Sequence, residues 1–257
     1  MELPIHRDIT DYYEPLRRII ADWEIDPLFV TVIGVDVYGF PSSDSDFDLR
    51  GAFVQPSIEA AGPESPSDTL TRLCLVDGLD MDLVLHEIGK YVGMLAQGNG
   101  SILEEILSPL VLMGEETLAP LRELARGCIT RRLYHHYNGF SRAQIAKLRD
   151  KDPKHIKTLL YIYRVLMTGI HVLETGELEC NIRTLAERFP VEPLPDLISA
   201  KTEERSLLEA WDWPWHQRAI KGLQSRLSRA YKYSPLPNRP TVLGELSEYL
   251  ARVRLAR

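Results

Sequence analysis

The stretch from Gly34 to Gly51, GVDVYGFPSSDSDFDLRG, constrains the fold more than any other part of the chain. An apolar, β-branched run from Leu28 to Ile33 leads into Gly34 and Gly39; a polar turn follows, and then Asp46 and Asp48 alternate with Phe47 and Leu49. Strand side chains alternate faces, so this spacing predicts a strand with both carboxylates on one face and the Phe and Leu reaching a core on the other. Two ionised carboxylates about 7 Å apart repel by about 2 kcal/mol at an effective dielectric of about 20. A divalent cation turns that repulsion into a binding site, because Mg2+ (or Mn2+) takes carboxylate oxygens and keeps positions open for phosphates.

The rest of the chain is arranged around this stretch as strands first and helices after. A helix is expected over 6–24, strands over 28–34 and 46–54, and a surface excursion with three prolines over 55–67. Leu70 to Val76 and Leu79 to Glu87, joined by Asp77-Gly78, read as a hairpin. In its second arm Asp80, Asp82 and Val84 share a face, which nominates Asp82 as a third acidic ligand beside the first pair. From Glu87 the period becomes helical (Ile88, Tyr91, Val92, Leu95), Gly98-Asn99-Gly100 ends that helix, and Ser101 with Glu104 forms a capping box for the next. Beyond Glu115 only helical patterns remain, at 115–126, 130–149, 153–176, 181–189, 201–212, 214–231 and 241–256. The expected class is α+β: a small β-sheet domain over 1–114 and an all-helical domain over 115–257.

Charge follows the same division. Residues 1–120 hold 22 Asp/Glu against 6 Lys/Arg, and residues 121–257 hold 15 against 24. Halves of opposite sign suggest a cation-binding part and a part that receives phosphates or a polynucleotide, or else two parts that pair with each other. Within Thr130 to Arg164, nine Lys/Arg face only two acids, with Tyr134, Tyr137, Phe140, Tyr161 and Tyr163 interleaved. Such a stretch suits a nucleotide or single-stranded RNA, while each aromatic taken singly also suits a core. The cysteines at 74, 128 and 180 have neither disulfide-framework nor zinc spacing. With no signal-peptide pattern at the start and no apolar segment of bilayer length read in the sequence, the expectation is a cytoplasmic protein with no membrane partner.

A glycine turn, an aspartate pair on a strand and a third aspartate on a later strand together resemble the catalytic pattern of the DNA polymerase β nucleotidyltransferase superfamily. More narrowly, Tyr38-Gly39, the run Asp44 to Gly51, the strand Asp82 to Glu87 and Gly98-Asn99 are similar to the RNA-ligase-associated (YcgL-like) predicted nucleotidyltransferases, over about residues 30 to 190. The resemblance implies a small mixed sheet flanked by helices, with Asp46, Asp48 and Asp82 holding two Mg2+ ions. They would move a nucleoside monophosphate from a nucleoside triphosphate to a hydroxyl such as an RNA end, with pyrophosphate release. It assigns Gly34, Val35, Tyr38, Gly39, Asp44, Ser45 and Arg50 to nucleotide binding. Lys157, Tyr161 and Arg164, at i, i+4 and i+7 of one helix, match a family Lys-His-Arg pattern in which Tyr161 replaces the histidine. The chain departs from the pattern at Gly34-Val35-Asp36, where relatives carry Gly-Ser, often followed by Arg. Val35 removes a hydroxyl that grips phosphate, and Asp36 adds a negative charge. A lost hydrogen bond to a charged group costs about 1.5–3 kcal/mol, or tens to hundreds of fold in rate. A second reading follows, in which a catalytically degenerate module of this fold binds nucleotide, RNA or a protein partner.

Overall fold

The computed structural model describes residues 8–23, 26–55, 67–150, 154–205, 207–208 and 213–256. They form a sheet unit (8–37, 45–128 and 240–256) and a helical unit (38–44 and 129–239). Most of the excursion expected at 55–67 lies outside the described residues.

In the sheet unit a 3-10 turn, Ile9–Tyr12, capped by the Asp8 carboxylate on the Thr10 amide at 2.9 Å, leads into helix α1, Tyr13–Ala21. The strands are β1 (Pro27–Ile33), β2 (Phe47–Phe53), β3 (Thr69–Val76), β4 (Leu79–Glu87) and β5 (Val111–Met113), in the order β3-β4-β2-β1-β5. Among these strands β2 and β4 run parallel and the other pairs are antiparallel, so the sheet is mixed. A single helical turn, α2, spans Val35–Tyr38.

Period-2 alternation in β2 and β4 separates the two faces. Phe47 and Leu49, with Met81, Leu83 and Leu85, point to one side and pack with Val30, Val32 and the Leu16, Ile19 and Ile20 stripe of α1. Each of these side chains contributes roughly 1.5–3 kcal/mol by leaving water, which fixes the register because a one-residue slip would expose the whole set. Asp48, Arg50, Asp82 and Val84 are thereby forced to the opposite face. On that side lie helix α3, Ile88–Ala96, and helix α4, Gly100–Ile106; Tyr91 of α3 packs edge-on to Phe29 of β1, with ring centres 5.5 Å apart. The cap of α4 is Asn99, whose side-chain oxygen accepts from the Ser101 and Ile102 amides at 3.0 and 3.4 Å, so the Ser101 capping box expected from the sequence is not formed. Strand β5 is also new relative to the sequence reading; three residues are too few to show a period.

Helix α5, Glu115–Arg126, belongs to this unit, and so does the chain's last helix, Leu243–Leu255. Leu118 and Leu121 of the first and Leu246 and Tyr249 of the second are buried, and the Tyr249 hydroxyl donates to the Thr117 carbonyl at 3.1 Å. The compact units therefore differ from the division expected at 114/115: the chain leaves the sheet unit at 128/129 and returns for its final helix.

The helical unit contains α6 (Leu133–Arg149), α7 (Ile156–Thr175), α8 (Ile182–Arg188), α9 (Leu194–Thr202) and α10 (Trp213–Tyr233); the last helix, Leu243–Leu255, is then α11. Helix α7 is long and apolar enough to cross a membrane by length and composition, which corrects the sequence reading that no segment is. Most of it is buried inside the protein, and this accounts for its composition. Gly169 sits where α7 meets α6 and α10: a Cβ there would lie 2.7 Å from Tyr137 Cβ and 3.0 Å from a Leu227 methyl. Gly169→Val is expected to lower stability by about 1–3 kcal/mol through overpacking, read as a shifted urea midpoint with an unchanged slope. Of the helix expected at 201–212, residues 201 and 202 end α9, residues 203–205, 207 and 208 are not helical, and 206 and 209–212 lie outside the described residues. Helix α9 has Pro195 in its first turn, where a missing N–H costs nothing.

Candidate active site

The register of the parallel pair sets Asp48 directly opposite Asp82. Arg50, two residues along β2 on the same face, reaches back between them: its Nη2 donates to Asp48 Oδ1 at 3.0 Å and to Asp82 Oδ2 at 2.8 Å. Its Nη1 donates to the backbone carbonyls of Leu49 and Asp82, at 2.8 and 2.6 Å. Burial opposes the guanidinium charge, but Asp48 and Asp82 outweigh it and raise the arginine pKa. One cationic nitrogen thus sits between two carboxylates, a stand-in for a metal ion built from the chain itself. The hard oxygen donors suit Mg2+ or Mn2+.

The third expected acid is not gathered in. Asp46 lies in the coil before β2, and among the described residues no group of three His, Cys, Asp or Glu side chains is placed to hold a metal ion. Of the three acids expected from the sequence, the structure places Asp48 and Asp82 together as a cross-strand pair bridged by Arg50. Arg50 itself, expected as a nucleotide ligand, has its guanidinium on the acids.

Gly34 has a role beyond turn-making. Its φ is +73°, and a Cβ at this position would overlap Asp48 Oδ2, so only a glycine lets the turn lie against that carboxylate. Val35 follows, buried at the start of α2, and brings no hydroxyl to the turn.

Near Arg50 lies Glu105 of α4. Desolvation pushes its carboxyl up to about 8, with Arg50 and then Tyr91 pulling it only partly back. Its Oε2 and the Tyr91 hydroxyl are both buried, and neither makes a hydrogen bond of normal geometry. The unfolded chain releases this proton near pH 4.5 and the folded chain near 8, so the folded state is penalised increasingly as pH rises through that window. Glu105→Gln cannot ionise; it is expected to flatten the fall in stability between pH 5 and 8 and to stabilise the protein at pH 8 by a few kcal/mol at most. Urea titrations across that range check both.

The segment 38–44 belongs to the helical unit and is held there by residues that sequence reasoning missed. Lys201 at the end of α9, only 8% exposed, donates from Nζ to Ser42 Oγ and stands 3.7 Å from Asp44 Oδ1. Ser42 Oγ in turn donates to Asp44 Oδ1 at 2.5 Å. Asp44 is held below the usual carboxylate range, first by the Ser42 hydroxyl and then by Lys201, while burial lowers the Lys201 pKa. Glu204 Oε1 accepts from Ser43 Oγ, and Arg183 Nε donates to the Gly39 carbonyl at 2.5 Å. Gly39 has φ +89°, and a Cβ there would overlap the Asn181 side chain. The signal available in the sequence was weak: Pro41-Ser42-Ser43 reads as a polar connection, and Lys201 carries no motif.

Of the three α7 residues assigned to nucleotide binding, Lys157 is exposed, Tyr161 is half-buried and Arg164 is 2% exposed. The Arg164 guanidinium stacks 3.6 Å from the Tyr38 ring centre, and Tyr161 meets Tyr38 and Phe40 edge-on at 5.7 Å from each. Tyr38, Tyr161 and Arg164 therefore form an internal cation–π cluster. In the basic stretch Tyr137 and Tyr163 are fully buried and Tyr134 stacks on Tyr231 at 4.3 Å, so these rings serve packing; Arg132, Arg142, Lys147 and Arg149 are exposed.

The sheet unit thus carries opposed aspartates on the parallel pair of a mixed five-stranded sheet. The RlaP family model, described as the RNA repair pathway DNA polymerase beta family, matches residues 9–252, and the chain belongs to that family. It is 29% identical over 229 residues to an uncharacterized protein of Methanocaldococcus jannaschii, covering 84% of this chain and 88% of that one. A nucleotidyltransferase-like protein from Exiguobacterium sibiricum 255-15, of known crystal structure, aligns over 97% of this chain and 81% of its own at 11% identity, with a TM-score of 0.33.

Proposed function

We propose that the protein transfers a nucleoside monophosphate from a nucleoside triphosphate to a hydroxyl at an RNA end. The observation that carries this reading is the pairing of Asp48 with Asp82 around a single cationic nitrogen. A bound divalent cation supplies neutralisation of the triphosphate and lowers the pKa of the attacking hydroxyl. Asp48 and Asp82 would hold it, with Asp46 brought in from the coil before β2. The acceptor oxygen bonds to the α-phosphorus, the bond from that phosphorus to the bridging oxygen breaks, and pyrophosphate leaves with the electron pair while the acceptor proton passes to a site carboxylate. Exposed Arg132, Arg142, Lys147, Arg149 and Lys157 offer RNA phosphates a basic surface on the helical unit. Incubation with each labelled triphosphate, Mg2+ and RNAs of defined ends tests the reading: label joined to RNA supports it, and no incorporation with any of the four triphosphates removes it.

Val35 and Asp36 favour a second reading, a degenerate module that binds without transferring. The double change Val35→Ser and Asp36→Arg separates the two, since a gain of turnover marks a weakened enzyme and none, with nucleotide binding unchanged, marks a binding module.

A further inference from the structure

We infer that Leu73 and Leu75, on the outer strand beside Asp82, form the ledge on which the terminal base of the acceptor RNA lies, which makes them specificity-determining residues of the acceptor side. The inference rests on the proposed transfer reaction and deepens it, since it assigns a seat to the second substrate of the same site.

Three features carry it, and the first is register. Strand β3 is an edge of the sheet, and its pairing with β4 sets Leu73 directly opposite Asp82 and Leu75 opposite Asp80. Directly opposed residues share a face, with Cβ atoms about 4.5–5.5 Å apart, so both leucines stand on the acid-bearing face. They are 75% and 72% exposed, whereas Leu70, Cys74 and Val76 of the same strand turn to the other face and pack on the core. Edge strands are ordinarily blunted by charge, so two neighbouring bare leucines beside the acid pair call for a ligand that covers them. The second feature is direction. On the Asp48 side the pair is flanked by the Gly34 turn, which lies against that carboxylate and has no side chain to keep the phosphates of the donor away; on the Asp82 side it is flanked by Leu73. In an in-line displacement the acceptor oxygen enters opposite the departing pyrophosphate, and this puts the acceptor on the Leu73 side. The third feature is charge. Asp82 and the exposed Asp80 are the cross-strand neighbours of the two leucines, so the ledge repels phosphate and favours an uncharged surface. The flat face of a base covers both leucine side chains without setting a phosphate against either acid.

Steady-state transfer by the intact chain, with the RNA and the triphosphate varied in turn, tests the assignment. The double change Leu73→Ser and Leu75→Ser is expected to raise KM for the RNA about tenfold and to leave KM for the triphosphate within about twofold. Side chains this exposed contribute little to stability, and urea unfolding checks that the fold is kept. Leu73→Met with Leu75→Met keeps the ledge apolar and is expected to hold the wild-type KM for RNA. Leu255→Ser, at an 88% exposed leucine of α11, is expected to change neither constant. Cross-linking gives a readout without turnover: with Mg2+ and a non-hydrolysable triphosphate, an RNA carrying 4-thiouridine at the end that receives label is expected to attach within 71–76, and the same nucleotide placed inside the strand is not. Attachment of the terminal probe elsewhere, an unchanged KM for RNA in the serine variant, or both constants raised together overturns the inference. So does a fall in sedimentation mass in the serine variant, which would make the leucines an interface between copies. A wild-type protein that transfers no label removes the transfer reading itself, and the inference with it, before any variant is compared.

Discussion

Asp48→Asn is expected to lower Mg2+-dependent nucleotidyl transfer about a thousandfold or more while leaving the protein folded. The proposed cation is held by two opposed carboxylates, and removing the charge of one withdraws several kcal/mol of electrostatic stabilisation from the transition state, at about 1.4 kcal/mol per tenfold. The fold should tolerate the change because Asn keeps the side-chain shape, and Arg50 retains Asp82 at 2.8 Å together with the Leu49 and Asp82 carbonyls. Leu49, on the other face of β2, is fully buried and goes on setting the register. Single-turnover pyrophosphate release reads the first expectation and urea unfolding the second. A loss of transfer below tenfold would place the cation elsewhere.

The second large effect is at Gly34. Gly34→Ala forces a left-handed conformation on a residue with a Cβ, at about 1–2 kcal/mol, and drives that Cβ into Asp48 Oδ2. The expected result is a stability loss of about 2–4 kcal/mol, with transfer falling further than partial unfolding explains, because the carboxylate itself is displaced. Gly78 provides the control: its φ is +81°, but a Cβ there meets nothing within 4 Å. Gly78→Ala should therefore show the conformational cost alone, with transfer unchanged. If the two variants behave alike, the close approach of Gly34 to Asp48 is not what matters at that position.

Much of the fold was legible because alternation and helical period are local. The alternation of Phe47 and Leu49 with Asp48 gives β2 its two faces, Asp77-Gly78 closes the β3–β4 hairpin with both residues at positive φ, and the α7 stripe needs no partner to be read as a helix. What escaped depends on residues far apart in the chain. The position of Arg50 follows from the parallel pairing of β2 with β4, a register between distant residues that no local pattern announces. Lys201 meets Ser42 and Asp44 although 159 residues separate it from Ser42 in the chain. The basic and aromatic stretch misled in a different way: Tyr137 and Tyr163 carry the composition of a stacking platform, yet their rings are in the core, because helical spacing serves packing and recognition equally well. Asp46 escaped for a third reason, since a residue one position outside a strand is not bound by the alternation within it.

Anomalous diffraction from crystals grown with Mn2+ and a non-hydrolysable nucleoside triphosphate tests the central claim most directly. Manganese is expected between Asp48 and Asp82, with carboxylate oxygens at roughly 2.0–2.3 Å, Arg50 displaced from at least one of them and Asp46 drawn toward the ion. Triphosphate bound with no manganese at this pair, and Arg50 still bridging the two acids, would contradict it.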